Sequence, residues 1–144
     1  MGKITGFMEF EREDADKLPV KKRLQNYQEF ELPVAEEKLR EQGARCMDCG
    51  VPFCNTGCPL GNLIPDWNDQ VFRGDFAGAS ASLHETNNFP EITGRICPAP
   101  CEAACVLNIN TDPVSIKLIE KSIADTAFES GAIQPEPPRS RTGK

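Results

Sequence analysis

Cys46-Met47-Asp48-Cys49-Gly50-Val51-Pro52-Phe53-Cys54-Asn55-Thr56-Gly57-Cys58-Pro59 places four thiols within fourteen residues, spaced C-x2-C-x4-C-x3-C and closed by a proline. Cys46 and Cys49 are close enough in sequence to bind one metal centre. Gly50, Pro52 and Gly57 supply the turns that fold the backbone around something small. Further on lies Cys97-Pro98-Ala99-Pro100-Cys101-Glu102-Ala103-Ala104-Cys105, spaced C-x3-C-x3-C, and the two runs hold all seven cysteines of the chain. Such concentration points to metal chemistry shared between the two runs.

The rest of the composition agrees. With 144 residues the chain is long enough for one domain, or for a small domain with tails. Only 39% of residues are hydrophobic, and the mean hydropathy is -0.43. A large apolar core is therefore not expected, and cofactors have to help hold the fold. The net charge of -6 and pI near 4.9 argue against nucleic acid or an anionic membrane as partner. No apolar run approaches the ~20 residues needed to span a bilayer. The first residues, Met1 to Gly6, lack the apolar segment of a signal peptide, so a cytoplasmic, reducing location is expected. In that compartment clustered cysteines mean metal or redox work rather than disulfides, and an odd count of seven agrees.

The ending C-x3-C-P resembles the bacterial ferredoxin run, in which the fourth cysteine ligates a different cluster from the first three. On that reading the C-x2-C-x4-C unit wraps three corners of an iron–sulfur cubane and points amide N–H groups at its sulfides. Cys58-Pro59 turns toward a second cluster. Pro100 suits a helix start, which predicts Cys101 and Cys105 on one face a turn apart, with Cys97 outside that helix. Two [4Fe–4S] clusters need eight ligands, seven cysteines and one other residue. A [4Fe–4S] cluster beside a three-cysteine [3Fe–4S] cluster also accounts for seven thiols. Structural zinc sites use paired C-x2–4-C units, commonly with histidine. This chain has one C-x2-C and one histidine, His84, so a single zinc would leave three cysteines idle.

Around these runs the pattern is helical, with no alternating strands. The expected class is all-α: a small helical iron–sulfur domain with irregular cysteine-bearing loops. Residues 1–32 read as an N-terminal arm and connector. The arm, with Phe7-Met8-Glu9-Phe10 as its apolar patch, either packs on another domain or chain or stays disordered. Residues 33–131 read as the helical two-cluster domain. Its expected helices cover 33–42, begun by Pro33 and ended by Gly43; 64–73, closed by Gly74; 76–87, capped by Asp75; and 113–129, capped by Asp112 and followed by Gly131. Residues 88–96 read as a loop. Ile64, Trp67 and Val71 share a helical face, so the tryptophan belongs to the core. His84 reads as a satisfied or surface histidine. Residues 132–144, proline-rich and polar, read as a linker.

Taken together, ARCMDCGVPFCNTGCPLGNLIPDWN, GRICPAPCEAACV and DPVSIKLIEKSIAD closely resemble the N-terminal iron–sulfur domain of glutamate synthase small (β) subunits. The resemblance covers nearly the whole chain, and extends to the N-terminal domain of dihydropyrimidine dehydrogenase and to bifurcating transhydrogenases. It implies a helical domain preceding an FAD- and NADPH-binding domain of the same subunit, which the absence of any G-x-G-x-x-G places outside these residues. It implies one [4Fe–4S] cluster on Cys46, Cys49, Cys54 and Cys105. Cys58, Cys97 and Cys101 would hold three irons of a second. It further implies electron transfer to the large (α) subunit for glutamate biosynthesis. A paralogous NADPH-dependent oxidoreductase or a structural metal module that docks two proteins are the alternatives.

The eighth ligand is expected to be Glu120. On a wheel of ~100° per residue Ile116, Ile119, Ile123 and Ala127 form one stripe, and Glu120 falls inside it. Lys117, Lys121 and Asp125 are expected on the solvated side. A buried carboxylate without a partner costs several kcal/mol, and with no basic residue in the stripe iron is its natural partner. The resemblance also implies a Glu or Gln ligand here. Otherwise Glu120 sits at the stripe's edge, reaching water or pairing with Arg95.

Overall fold

Helix boundaries follow from turn residues and from where backbone carbonyls are engaged. The computed structural model describes residues 2–143; Met1 and Lys144, the outermost residues of the expected arm and linker, lie outside the described residues. In chain order it forms α1 (Gly6–Glu9), α2 (Val20–Arg23), α3 (Glu36–Ala44), α4 (Phe53–Gly57), α5 (Ile64–Arg73), α6 (Phe76–His84), α7 (Pro90–Ile96), α8 (Pro100–Ala103) and α9 (Ile116–Glu129). A 3-10 turn, Val106–Ile109, lies between α8 and α9. Among the described residues there is no strand, only an isolated antiparallel bridge between Lys17 and Glu31. The chain is all-α.

The core sits along α9, which packs against α7, α6, α3, α5 and α8. Its stripe of Ile116, Ile119, Ile123 and Ala127 is buried. α5 lies between α3 and α6 and contributes Ile64, Trp67 and Val71, all buried as its spacing requires. Gly74, in the left-handed region at φ 81°, ends α5, and the Asp75 carboxylate accepts from Gly78 N–H at 2.9 Å to cap α6. α7 lies so close to α9 that a β-carbon on Gly94 would come within 2.7 Å of the Lys121 Cα. α4 packs on α8, which brings the two cysteine runs together.

Several boundaries differ from expectation. α3 starts at Glu36, after Pro33, and runs through Gly43 to Ala44. α6 stops at His84, whose ring Nδ1 lies 2.7 Å from the Ser80 carbonyl. Residues 90–96, expected as loop, form α7, with Pro90 in its first turn. α9 starts at Ile116 rather than 113, because the chain before it is tied to other parts of the protein and closed by a tight turn, Ile116 N–H donating to Val114 O at 2.8 Å. The Arg45 guanidinium donates to the carbonyls of Asp112 (2.8 Å) and Pro113 (2.9 Å), and the Ser115 hydroxyl donates to Glu13 O (3.0 Å).

The N-terminal arm docks on this same helical body. Arg45 donates to Phe10 O at 3.0 Å, and Gln42 donates to Glu11 O and accepts from Glu13 N–H. Both side chains are buried, and they satisfy backbone groups of the arm at Phe10, Glu11 and Glu13. The connector is tied down by Lys121. Expected on the solvated face, Lys121 is 6% exposed and pairs with Glu31 at 3.0 Å and Glu29 at 3.5 Å, since the connector covers that side of α9. Arg95 pairs with Glu29 and with Asp125.

Candidate metal centre

All seven cysteines are free thiols and all lie at helix ends or in the loops beside them. Cys46 follows the α3 cap, Cys54 lies in the first turn of α4 and Cys58 caps its end. Cys97 caps the end of α7, Cys101 lies in α8, and Cys105 precedes the 3-10 turn. Cys101 and Cys105 do not share one helix, because α8 ends at Ala103. Among the described residues only two non-glycine residues have positive φ, Asp48 at 49° and Ala99 at 56°, and each lies between two cysteines. For Ala99 the left-handed region conflicts with the extended backbone that a following proline favours. Strain of this kind persists where the surroundings over-determine it, typically at functional sites.

Cys46, Cys49, Cys54 and Cys105 line one apolar pocket together with Met47, Ile64, Leu107 and Ile116. Three of these thiols come from the first run and the fourth from the second. Burial pushes the Cys46 thiol up to about 12 and the Cys54 thiol up to about 11, with the charge of Cys105 acting on both in the same sense. Without a positive centre such thiols stay protonated. A bound metal reverses this, since coordination deprotonates a thiol outright. Asn68 lines the same pocket; it is fully buried, and neither its Nδ2 nor its Oδ1 has a hydrogen-bond partner. Four thiols and an unpartnered amide around one apolar pocket fit an anionic iron–sulfur cluster, whose sulfurs accept N–H hydrogen bonds.

The other expected ligands are Cys58, Cys97, Cys101 and Glu120. Burial, then the charges of Glu102, Cys58 and Glu120, push the Cys101 thiol up to about 12. Cys97 lies a helical turn beyond Thr93: its N–H donates to Thr93 O at 2.9 Å, and its sulfur accepts from Ala99 N–H at 3.4 Å. Glu120 is 7% exposed, inside the α9 stripe, and does not pair with Arg95. Its Oε1 accepts from the Thr93 hydroxyl and from Asn87 Nδ2 at 3.2 Å, and Asn87 Nδ2 also lies 2.8 Å from Thr93 Oγ1. Burial raises the Glu120 pKa, while the Thr93 and Asn87 hydrogen bonds oppose the rise. These bonds hold one carboxylate oxygen and leave Oε2 for another partner. Among the described residues no three His, Cys, Asp or Glu side chains converge on one ion. A polynuclear cluster does not require that, since each ligand takes its own iron.

Arg45, Gln42, Asn68, Asn87 and Thr93 are the residues that sequence reasoning missed. A cationic residue directly before Cys46 and an asparagine within an otherwise apolar helix face were the available signals. The pattern of the dihydropyrimidine dehydrogenase domain II 4Fe-4S cluster family matches residues 23–132. The chain belongs to this family. It is 56% identical over 140 residues to the glutamate synthase [NADPH] small chain of Mycobacterium tuberculosis, covering 96% of this chain and 29% of that protein. The corresponding protein of Bacillus subtilis is 52% identical over 153 residues, covering 100% of this chain and 31% of the relative. Glutamate synthase [NADH] of Schizosaccharomyces pombe is 48% identical over 146 residues, covering 100% of this chain and 7% of the relative. The chain thus spans under a third of the length of each of these relatives. No helix among the described residues is long and apolar enough to cross a membrane.

Proposed function

We propose that this chain is the electron-transfer domain of a glutamate synthase small subunit, with two [4Fe–4S] clusters held in crossed fashion. Cys46, Cys49, Cys54 and Cys105 hold one; Cys58, Cys97, Cys101 and Glu120 hold the other. The observation that carries this reading is the meeting of Cys105 with the three cysteines of the first run in one pocket. When bound, the clusters supply one-electron transfer between FAD, reduced by NADPH in the remainder of the subunit, and the large (α) subunit that makes glutamate. The identity to glutamate synthase small chains supports that assignment. The protein works in the cytoplasm, without nucleic acid or membrane as partner. Residues 33–131 form the two-cluster domain, residues 1–32 are its arm and connector, and residues 132–144 are the linker to the flavin domain.

The chain's own residues account for how the site is built. α4 and α8 present the thiols from opposite runs, Arg45 fixes the segment before α9 beside Cys46, and the apolar walls exclude water from the first pocket. Neither ligand set is complete until both runs are in place, so cluster assembly and folding are coupled.

Anaerobically purified protein is expected to be brown, to bleach with dithionite and to carry about eight irons, four in each cluster. In the intact subunit NADPH should bleach the same absorption. A reproducible content of about four irons, or a colourless zinc protein, contradicts the two-cluster reading.

A further inference from the structure

We infer that Asn68 is the hydrogen-bond donor that sets the potential of the cluster held by Cys46, Cys49, Cys54 and Cys105; this rests on the reading that those four cysteines hold one.

Asn68 carries a buried polar group that the protein leaves unsatisfied. Asn68 lies in α5 between Trp67 and Asp69, and its side chain is 0% exposed. Its neighbours Ile64 and Val71, on the same helix, are core residues. A primary amide carries two donors and an acceptor, and burying them without partners costs free energy comparable to lost hydrogen bonds. Neither polar atom of Asn68 has a protein partner. Other buried amides do have them: Gln42 bonds the arm, and Asn87 bonds Thr93 and Glu120. Asn68 stands apart because it is one of the residues that line the four-cysteine pocket. The acceptor it lacks is therefore one that only an occupant of that pocket can supply. Cluster sulfides and thiolate sulfurs are acceptors, and the remainder of the pocket wall offers chiefly apolar side chains.

An N–H donor directed at a cluster sulfur stabilises the more negative, reduced state more than the oxidised one. It therefore raises the reduction potential. Asn68 does not ligate iron and is a positioning and tuning residue acting through the sulfurs. Of two clusters in one small domain, it acts on one alone, which gives the domain a way to order their potentials.

The test replaces Asn68 in the whole protein, purified anaerobically, and reads both clusters by EPR-monitored redox titration. Asn68→Leu removes the amide and keeps the bulk, and Asn68→Ser removes it in a side chain small enough to fit. The expected result is a fall in the potential of the Cys46 cluster in both variants, or selective loss of its signal, with the Cys58 cluster's potential unchanged. An unchanged Cys46-cluster potential in either variant overturns the inference. So does loss of both clusters together, which marks Asn68 as a residue needed only for folding. Failure of the underlying reading looks different: the cluster assigned to the first run then survives Cys105→Ala in the protein with Asn68 intact.

Discussion

Gly57 and Ala104 meet where the two cysteine runs cross, so closely that a β-carbon on Gly57 would lie 2.6 Å from the Ala104 Cβ. Cys54 and Cys58 flank this contact on one side, Cys101 and Cys105 on the other. Gly57→Val should force α4 and α8 apart, at an overpacking cost of about 1–3 kcal/mol. Because each proposed ligand set draws on both runs, both clusters should lose iron together. Iron analysis and thermal unfolding of the variant check this, and a full complement of iron with unchanged stability contradicts it.

Arg45 is the second joint. Its buried guanidinium bonds the carbonyls of Phe10, Asp112 and Pro113, and its charge and that of Cys105 attract one another. Hydrogen bonds to charged groups contribute about 1.5–3 kcal/mol each, so Arg45→Met should destabilise the protein by at least about 2 kcal/mol. It should also lower the potential of the Cys105 cluster, since a buried positive charge no longer offsets the added electron. Denaturant titration and a redox titration read the two effects separately. A variant of wild-type stability counts against the clamp.

Glu120 is tested by what replaces it. Glu120→Ala should strip iron from the Cys58 cluster, whereas Glu120→Cys should keep four irons there with an altered reduced-state spectrum. Thr93→Val leaves Glu120 Oε1 with Asn87 as its one remaining donor, and should weaken iron retention at that cluster roughly 10- to 100-fold. Thr93→Ser, which keeps the hydroxyl, should restore it. Chelator-challenge rates give the comparison. If both Glu120 variants leave the Cys58 cluster's spectrum and potential untouched, Glu120 is not its ligand.

Much of this fold was legible because the helices obey local rules. α5 announces itself by Ile64, Trp67 and Val71, and by Gly74 at its end. Glu120 falls in an apolar stripe on a wheel and is buried in the structure for that reason. What was not legible depends on partners distant in sequence. Lys121 looks solvated on its own helix, but Glu29 and Glu31 arrive from the connector to cover it. α9 loses its expected first turn because Arg45, many residues earlier, takes the carbonyls there. α7 was hidden by exposed Ile92 and Ile96, which blur its periodicity, although Pro90 and Glu91 marked its start. The orphaned amide of Asn68 is invisible in sequence, since only the folded pocket shows that nothing in the protein answers it.

Crossed ligation is tested most directly at Cys105. Its sequence neighbours Cys97 and Cys101 belong to the second run, while its pocket belongs to the first. The measurement is EPR spectroscopy of the reduced Cys105→Ala protein, with iron content determined on the same sample. The account predicts loss or conversion of the Cys46–Cys49–Cys54 cluster and an intact signal from the Cys58 cluster. An intact first-run cluster beside a damaged Cys58 cluster would contradict it.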